Sequence, residues 1–224
     1  MKLMLAVLII LAMPFQTSTK KKVVFFGDSI TQAGVQPTGY ITRVREMAAR
    51  DKKAEQYEFI GAGIGGNKVY DLYLRVEDDV LAKNPDIVVI YIGVNDVWHK
   101  QSSGTGTDYD KFGKFYEALL KKFQAKNIKV ILATPAVIGE RTDNSNQLDG
   151  DLNRYSAYIR TLAEKNNLPL VDLRKGFLDY AKQNNPENKE QGILTTDRVH
   201  LNEKGNEFVA AEMWKAIEEV VSSK

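Results

Sequence analysis

The chain has 224 residues, of which 31 are Lys or Arg and 29 are Asp or Glu, so that its formal net charge is +2. A chain of this length can form one medium-sized domain with a substantial core. It has no cysteine, which excludes disulfides, a thiol nucleophile and thiolate metal ligands. The charge is balanced and no basic stripe is interleaved with aromatic residues, so we expect no nucleic-acid partner.

The first 19 residues, MKLMLAVLIILAMPFQTST, differ from the rest of the chain. One early lysine precedes an apolar run over 3–13, which is followed by Pro14 and small polar residues. This layout is typical of a secretory signal peptide, and the run is too short to span a bilayer comfortably. A short membrane-associated anchor is the alternative. We therefore expect a signal peptide at 1–19, a single domain over 20–224, no stable membrane span, and a secreted or periplasmic protein.

Beyond this segment, short apolar stretches alternate with amphipathic ones. The apolar stretches predict strands over 22–26, 57–62, 87–92, 129–133 and 169–172. The amphipathic stretches predict helices over 39–51, 70–83, 109–126, 148–166 and 203–221. Consecutive apolar positions are expected of strands covered on both faces, and strand–helix alternation predicts right-handed crossovers. We therefore expect an α/β fold, a three-layer α/β/α sandwich around a five-stranded, mainly parallel, flavodoxin-like sheet.

Polar segments follow the predicted strands, at the edge where parallel sheets bind their ligands. After the first four strands they are GDS (27–29), GAGIGGN (61–67), GVNDVWH (93–99) and TPAVIGER (134–141), and a late loop carries TTDRVHLN (195–202). The chemistry of the protein is therefore expected at these segments.

The first of these segments contains a candidate nucleophile, Ser29. A serine hydroxyl is weakly nucleophilic at neutral pH and needs an adjacent base, most often histidine. His200 is one of only two histidines, and Asp197 precedes it by three residues, close enough to accept a hydrogen bond from its other ring nitrogen. D-x-x-H alone is common, and a histidine in a surface turn is the simpler interpretation. Beside a serine at a strand end of the same sheet, the pattern favours a catalytic pair.

Attack by serine on an acyl carbon also requires donors for the oxyanion. Gly63, Gly65 and Gly66 allow the backbone to turn N–H groups inward, and Asn95 follows a buried strand and can donate its side-chain amide. A tight turn and a helix cap are the simpler alternatives for the glycines and for Asn95 respectively.

Four segments together resemble a known family. FFGDSIT, GAGIGGN, IGVND and DRVHLNEKG are similar, in this order, to the sequence blocks of the SGNH hydrolases, the GDSL-type esterases and lipases. The resemblance spans about residues 22–221. It implies that Ser29 is the nucleophile and contributes its backbone N–H to an oxyanion hole, with Gly66 and Asn95 as further donors. It also implies that His200 is the general base and that Asp197 orients it.

Two positions depart from familiar patterns. Many members have Asn where this chain has Gly61, and we expect lost local hydrogen bonding there but retained catalysis. The G-x-S-x-G elbow of α/β-hydrolases is absent, because Thr31 stands at its second glycine.

Four other polar residues lie in the same segments. Asp28 precedes Ser29, and we expect it to hydrogen-bond to nearby backbone groups rather than to act as the triad acid. We expect Asp96, which follows Asn95, to make similar backbone hydrogen bonds. His99 either lines the mouth of the site or is an exposed loop histidine. Arg141 either contacts a substrate hydroxyl or carboxylate or is an ordinary solvated arginine. The stretches 100–110 and 139–150 are predicted to be polar loops.

The sequence therefore predicts a secreted serine esterase that needs no metal and no cofactor. We expect it to hydrolyse short acyl esters, O-acetyl groups on carbohydrate being favoured, so that its partner is a small acyl-ester or acetylated glycan substrate. A lysophospholipase, thioesterase or arylesterase with the same residues is the first alternative. A glycan-binding module without turnover is the second. The sequence predicts no oligomeric state.

Overall fold

A computed structural model describes residues 19–222, and its centre is a five-stranded sheet. The strands are β1 (Lys21–Gly27), β2 (Tyr57–Gly63), β3 (Ile87–Tyr91), β4 (Lys129–Ala133) and β5 (Leu170–Val171). All neighbours pair in parallel, in the order β2-β1-β3-β4-β5, which is the flavodoxin-like order. The predicted fold class is confirmed. The predicted signal peptide at 1–19 lies, except for Thr19, outside the described residues.

Eight α-helices accompany the sheet in residues 19–222. They are α1 (Ser29–Ala33), α2 (Tyr40–Arg50), α3 (Val69–Asp79), α4 (Val94–Ser102), α5 (Tyr109–Ala125), α6 (Asp149–Lys165), α7 (Leu173–Asn184) and α8 (Glu203–Ser222). Short 3₁₀ turns cover Ala54–Gln56 and Leu81–Lys83. No helix in this part of the chain is both long and apolar enough to cross a membrane.

The five predicted helices correspond to α2, α3, α5, α6 and α8. The helix expected over 70–83 ends at Asp79, and Asn84 closes the following 3₁₀ turn in the left-handed conformation. Helices α1, α4 and α7 are not predicted by the sequence pattern. Residues 100–102, predicted as loop, form the last turn of α4.

The strands at the centre of the sheet are buried on both faces, as their continuous apolar sequences predict. Residues 23–26 of β1 are fully buried, and β3 is buried throughout. Helices α2 and α8 pack together in one layer, while α3, α5 and α6 pack side by side in another, as right-handed crossovers on both sides of β1 require. The core thus lies between the sheet and its two helical layers.

The carboxyl ends of β1 and β2 approach each other very closely. Gly27 and Gly63 are partners in the parallel register, and α1 follows β1 directly, so its backbone lies against the end of β2. A Cβ atom on Gly63 would lie 2.1 Å from the backbone nitrogen of Gln32. Only glycine permits this contact, which fixes α1 on the sheet.

Replacing Gly63 by Ala should therefore lower the free energy of unfolding by about 1–3 kcal/mol, because backbone must move to admit the methyl group. The matched control is Gly150→Ala, near the start of α6, where an added Cβ meets nothing within 4 Å. The control should leave stability unchanged or raise it by up to about 1 kcal/mol, because alanine favours helix. Urea unfolding measures both, and equal stability of the two variants would contradict the packing argument.

Candidate active site

Helix α1 begins at Ser29, directly after β1. Asp28 caps the helix, its Oδ1 accepting the N–H of Ile30 at 3.0 Å, so Asp28 bonds nearby backbone as the sequence predicts. The backbone N–H groups in the first turn of a helix have no acceptor within the helix. Ser29 therefore presents both a hydroxyl and a backbone donor at the carboxyl end of β1.

Two residues near the C-terminus form a hydrogen-bonded chain with this serine. Ser29 Oγ and His200 Nε2 are hydrogen bonded at 2.9 Å, although they are 171 residues apart in sequence. His200 Nδ1 and Asp197 Oδ2 are hydrogen bonded at 2.7 Å. The three predicted catalytic residues are thus in contact in the order hydroxyl, imidazole, carboxylate.

Asp197 also organises its own turn. Its Oδ1 accepts the N–H groups of Val199 at 3.2 Å and His200 at 2.8 Å. Partial burial acts to raise the pKa of Asp197, but the hydrogen bonds from the His200 ring and from these N–H groups outweigh it. The pKa therefore lies below its usual value, and the carboxyl group is ionised at neutral pH.

The buried side chain of Glu140, which follows β4, supports the loop that leads to this turn. Glu140 is 3% exposed. Its Oε2 accepts the N–H of Ile193 at 2.8 Å, and its Oε1 accepts those of Leu194 at 2.6 Å and Thr195 at 2.9 Å. Three consecutive backbone donors satisfy the carboxylate and fix the chain two residues before Asp197.

The loop after β2 is held from two sides. Gly66 has a φ of +74°, in the left-handed region that favours glycine. Its carbonyl accepts a hydrogen bond from Lys68 Nζ at 2.9 Å, and Lys68 is largely buried. The N–H of Gly65 donates to Gln32 Oε1, on α1, at 2.8 Å. These bonds fix the backbone that presents Gly66 beside the start of α1.

Arg75, on α3, ties the same loop to the sheet. Its Nη2 donates to the carbonyls of Gly27 at 2.8 Å and Ala62 at 3.0 Å, at the ends of β1 and β2. Its Nε donates to Asn67 Oδ1 at 2.7 Å, and Nη1 pairs with Asp79 at 2.6 Å. One guanidinium group thus joins two strand ends, a loop and a helix.

Asn95 lies at the start of α4 and is 2% exposed. Its Nδ2 donates to the carbonyl of Asn67 at 3.1 Å, which places it against the loop of Gly66 and leaves the second amide N–H available.

The sequence predicts local backbone bonds for Asp96. The structure instead has both its carboxylate oxygens accept from Val69 N, at 3.2 and 3.3 Å, which joins α4 to α3.

Two carboxyl groups near Ser29 are fully buried. Burial raises the pKa of Asp28 to about 7 against the opposing bond from Ile30 N, and the nearby charge of Asp96 raises it further. Burial likewise raises the pKa of Asp96 to about 7, against the Val69 bond and the positive charge of Lys68. Burial therefore brings the pKa of both carboxyl groups well above its usual value.

The two predicted lining residues lie in different places. His99 is on α4, and its Cε1 lies 3.8 Å from the position of a Cβ on Gly66, so it borders the candidate oxyanion site. Partial burial and the charge of Lys68 lower its pKa. Arg141 lies in the loop after β4 and pairs with Glu190 at 3.6 Å.

Within residues 19–222, no group of three or more His, Asp or Glu side chains is arranged so that it could hold a metal ion.

Sequence reasoning missed the residues that hold the site in place. Glu140, Arg75 and Lys68 each make bonds that link segments of the chain, but a buried charged residue looks like a solvated one in sequence. The only available signal was position, because Glu140 lies in the polar segment after β4.

At Gly61, a Cβ would lie 2.4 Å from Val35 Cγ1, so a valine methyl group occupies the space that a side chain there would need.

Replacing Glu140 by Gln exchanges one acceptor oxygen for an NH2 group facing N–H donors. We expect the free energy of unfolding to fall by about 2–3 kcal/mol, and kcat to fall because the turn of Asp197 loses its support. Urea unfolding and amide hydrogen exchange at Leu194 and Thr195 measure these effects. Glu212→Gln, exposed on α8, is the control, and an equal loss in both variants would show that Glu140 has no special role.

The raised pKa of Asp28 predicts a pH dependence of stability. The folded chain binds the proton of the Asp28 carboxyl group more tightly than the unfolded chain, in which the pKa of this group is 3.8. The resulting stabilisation is full below about pH 3.8 and is lost as pH rises towards 7. The wild type should therefore lose unfolding free energy between pH 4 and pH 8. In Asp28→Asn this loss should be smaller, by up to about 4 kcal/mol. Urea unfolding across this range tests it; Asp78→Asn, at an exposed carboxylate, should keep the wild-type slope.

Comparison with known proteins relates this arrangement to others. The GDSL-like Lipase/Acylhydrolase family model matches residues 25–208. An acetylxylan esterase of Geobacillus stearothermophilus is 29% identical in a 212-residue alignment that covers 88% of this chain and 94% of that protein. The crystal structure of the acetyl xylan esterase AlAXEase is 65% identical, with a TM-score of 0.86 over 88% of this chain and 99% of that chain.

Solved structures of Axe2, an acetylxylan esterase from Geobacillus stearothermophilus, are also similar, and one of them has 27% identity and a TM-score of 0.78 over 89% of this chain and 96% of that chain. Its structures include catalytic mutants in which a serine, an aspartate or a histidine three residues after that aspartate is replaced by alanine. The family match runs from β1 into α8 and contains all five predicted catalytic and oxyanion residues. The chain therefore belongs to the GDSL-like Lipase/Acylhydrolase family, as its resemblance to SGNH hydrolases predicts, and is a serine carboxylic ester hydrolase.

Proposed function

We propose that the chain is an exported serine esterase that removes O-acetyl groups from carbohydrate, with Ser29, His200 and Asp197 as its catalytic triad. The observation that carries this proposal is the pair of hydrogen bonds from Ser29 Oγ to His200 Nε2 and from His200 Nδ1 to Asp197 Oδ2. The same order of groups performs acyl transfer on several unrelated folds.

The substrate and the location draw on separate observations. Relatives with 65% and 29% identity are named as acetylxylan esterases, which supports an acetyl group as the acyl part and a sugar as the alcohol. The first 19 residues have the pattern of a secretory signal peptide. Export would bring the enzyme to extracellular polysaccharide.

In the acylation step, Ser29 Oγ attacks the carbonyl carbon of the ester while His200 Nε2 takes the hydroxyl proton. Asp197 holds the imidazole with its proton on Nδ1 and stabilises the imidazolium ion. When the tetrahedral intermediate collapses, His200 gives the proton to the sugar oxygen. The alcohol leaves and the acetyl group stays on Ser29.

Three N–H groups stabilise the oxyanion in this mechanism. They are the backbone N–H of Ser29 at the start of α1, the backbone N–H of Gly66 and the Nδ2 group of Asn95. Lys68 supports the second by binding the Gly66 carbonyl. One donor of this kind is typically worth about 10²–10³-fold in kcat.

Deacylation repeats the same chemistry with water. His200 Nε2 takes a proton from a water molecule whose oxygen attacks the acetyl carbonyl. The second tetrahedral intermediate collapses when Ser29 Oγ leaves and recovers its proton from His200, and acetate is released. No metal or cofactor takes part in either step of this mechanism.

The test is acetate release from acetylated xylo-oligosaccharides, together with a p-nitrophenyl ester series. We expect acetate release by the wild type and the highest kcat/KM for the acetyl ester, with a decline as the acyl chain lengthens. Ser29→Ala should lower kcat by at least about 10⁴-fold while the protein stays folded. Ser222→Ala, at the exposed end of α8, is the matched control and should retain wild-type turnover.

Three results would contradict the proposal. Wild-type rates in Ser29→Ala would remove Ser29 as the nucleophile. A preference for acyl chains of eight or more carbons would favour a lipase-type activity. Binding of glycans without release of acetate would favour a module without turnover.

A further inference from the structure

A cavity of about 360 Å³ lies beside the turn of Asp197 and His200 and has no role in the mechanism above. Its walls come from α4, from the loop after β4 and from the loop before α8. Trp98, Arg141 and Glu190 are among its lining residues. The volume falls within the range of small-molecule sites, about 300–1,000 Å³.

Two lining residues adjoin the catalytic groups. Arg198 lies in the same turn as Asp197 and His200. Trp98 precedes His99, with their ring centroids 5.6 Å apart, and His99 borders the loop of the candidate oxyanion site. The cavity is therefore bordered by a residue of the turn that contains Asp197 and His200, and by the residue before His99.

The charges that line the cavity are unequal. Arg141 Nη2 lies 3.6 Å from Glu190 Oε2, and Arg198 Nη1 lies 3.2 Å from Glu190 Oε1. The cavity has no other acidic residue in its lining, and one carboxylate cannot satisfy two guanidinium groups with about five N–H donors each. The cavity thus has an excess positive charge and spare donors in the planar geometry that suits a second carboxylate.

The backbone of Arg198 is a second observation. Its φ is +80°, a conformation that glycine adopts without strain and other residues rarely adopt. Its carbonyl accepts the N–H of Gly139 at 2.9 Å, a bond that glycine would make equally well. The turn itself therefore does not require an arginine side chain, and a strained backbone of this kind is typical of functional sites.

We infer that this cavity binds a carboxylate-bearing sugar, a uronic acid residue, of the acetylated glycan whose ester is cleaved at Ser29. The inference rests on the proposed function and specifies its substrate. Arg141 and Arg198 bind the sugar carboxylate, which takes up the donors that Glu190 leaves free. Trp98 presents an aromatic surface to the sugar ring. The enzyme therefore prefers acidic to neutral acetylated oligosaccharides.

The test measures binding to the full chain carrying Ser29→Ala, by isothermal titration calorimetry at low salt. One probe is a xylo-oligosaccharide with one glucuronic acid substituent, and the other is the neutral xylo-oligosaccharide of equal length. We expect the acidic probe to bind about tenfold more tightly, as one charge-assisted hydrogen-bonded pair allows. This preference should disappear in 1 M NaCl, where the Debye length is about 3 Å.

Two further substitutions assign the preference to the arginines. Arg198→Gly, which suits the backbone of the turn, and Arg141→Ala, in the exposed loop, should each lower the preference about three- to tenfold. Arg50→Ala is the charge-matched control: it removes an exposed arginine at the end of α2 and should leave the preference unchanged. Thermal unfolding shows whether each variant is folded. If Arg198→Gly is not folded, the result for Arg141→Ala alone tests whether the arginines cause the preference.

Several results would overturn the inference. They are equal affinity for the two probes, no binding of the acidic probe at millimolar concentration, and a loss of preference in Arg50→Ala as large as in the cavity variants. Acetate release by the wild type separates this failure from failure of the proposed function. Acetate release with equal probe affinities would overturn the cavity alone. If the wild type releases no acetate from the acetylated form of either probe while the acidic preference is kept, the proposed substrate is overturned and the binding site remains.

Discussion

The carboxylate of Glu140 holds the one part of the active site that no strand carries. Ser29, the loop of Gly66 and Asn95 follow β1, β2 and β3 directly, so the sheet itself brings them together. Asp197 and His200 lie instead in the irregular chain between α7 and α8. Glu140 follows β4 and binds three successive N–H groups of that chain. A buried carboxylate without such partners is strongly destabilising, so the loop and the sheet edge must assemble as one unit.

Basic side chains have the corresponding role on the oxyanion side. Arg75 and Lys68 donate to backbone carbonyls at the ends of β1 and β2 and in the loop that follows β2. Bonds to a carbonyl orient the whole peptide plane, and with it the N–H group of the next residue. An acidic residue thus binds N–H groups near the proposed base while basic residues bind carbonyls near the proposed oxyanion donors.

The sequence predicts the sheet well because β1, β3 and β4 contain unbroken apolar runs, which are typical of strands buried on both faces. Helix α1 escapes prediction because five residues are too few to show a helical period. Ser29, Asp197 and His200 are recognisable because their order along the chain is distinctive. Glu140 and Arg75 are not, because their burial depends on contacts with residues about 50 positions away. The local sequence pattern carries no information about such contacts. The candidate catalytic residues are therefore easier to predict than the residues that hold them in place.

The two carboxyl groups nearest the reaction differ in environment, and this difference explains which one pairs with the base. Asp28 adjoins Ser29 in sequence, but it is fully buried, and burial raises its pKa to about 7. Asp197 is partly exposed and accepts several N–H bonds, so it remains ionised. A residue that stabilises an imidazolium ion must be charged, whereas a full negative charge beside Ser29 would oppose the developing oxyanion. These environments support the proposal that the distant Asp197, rather than the adjacent Asp28, stabilises the charged form of His200.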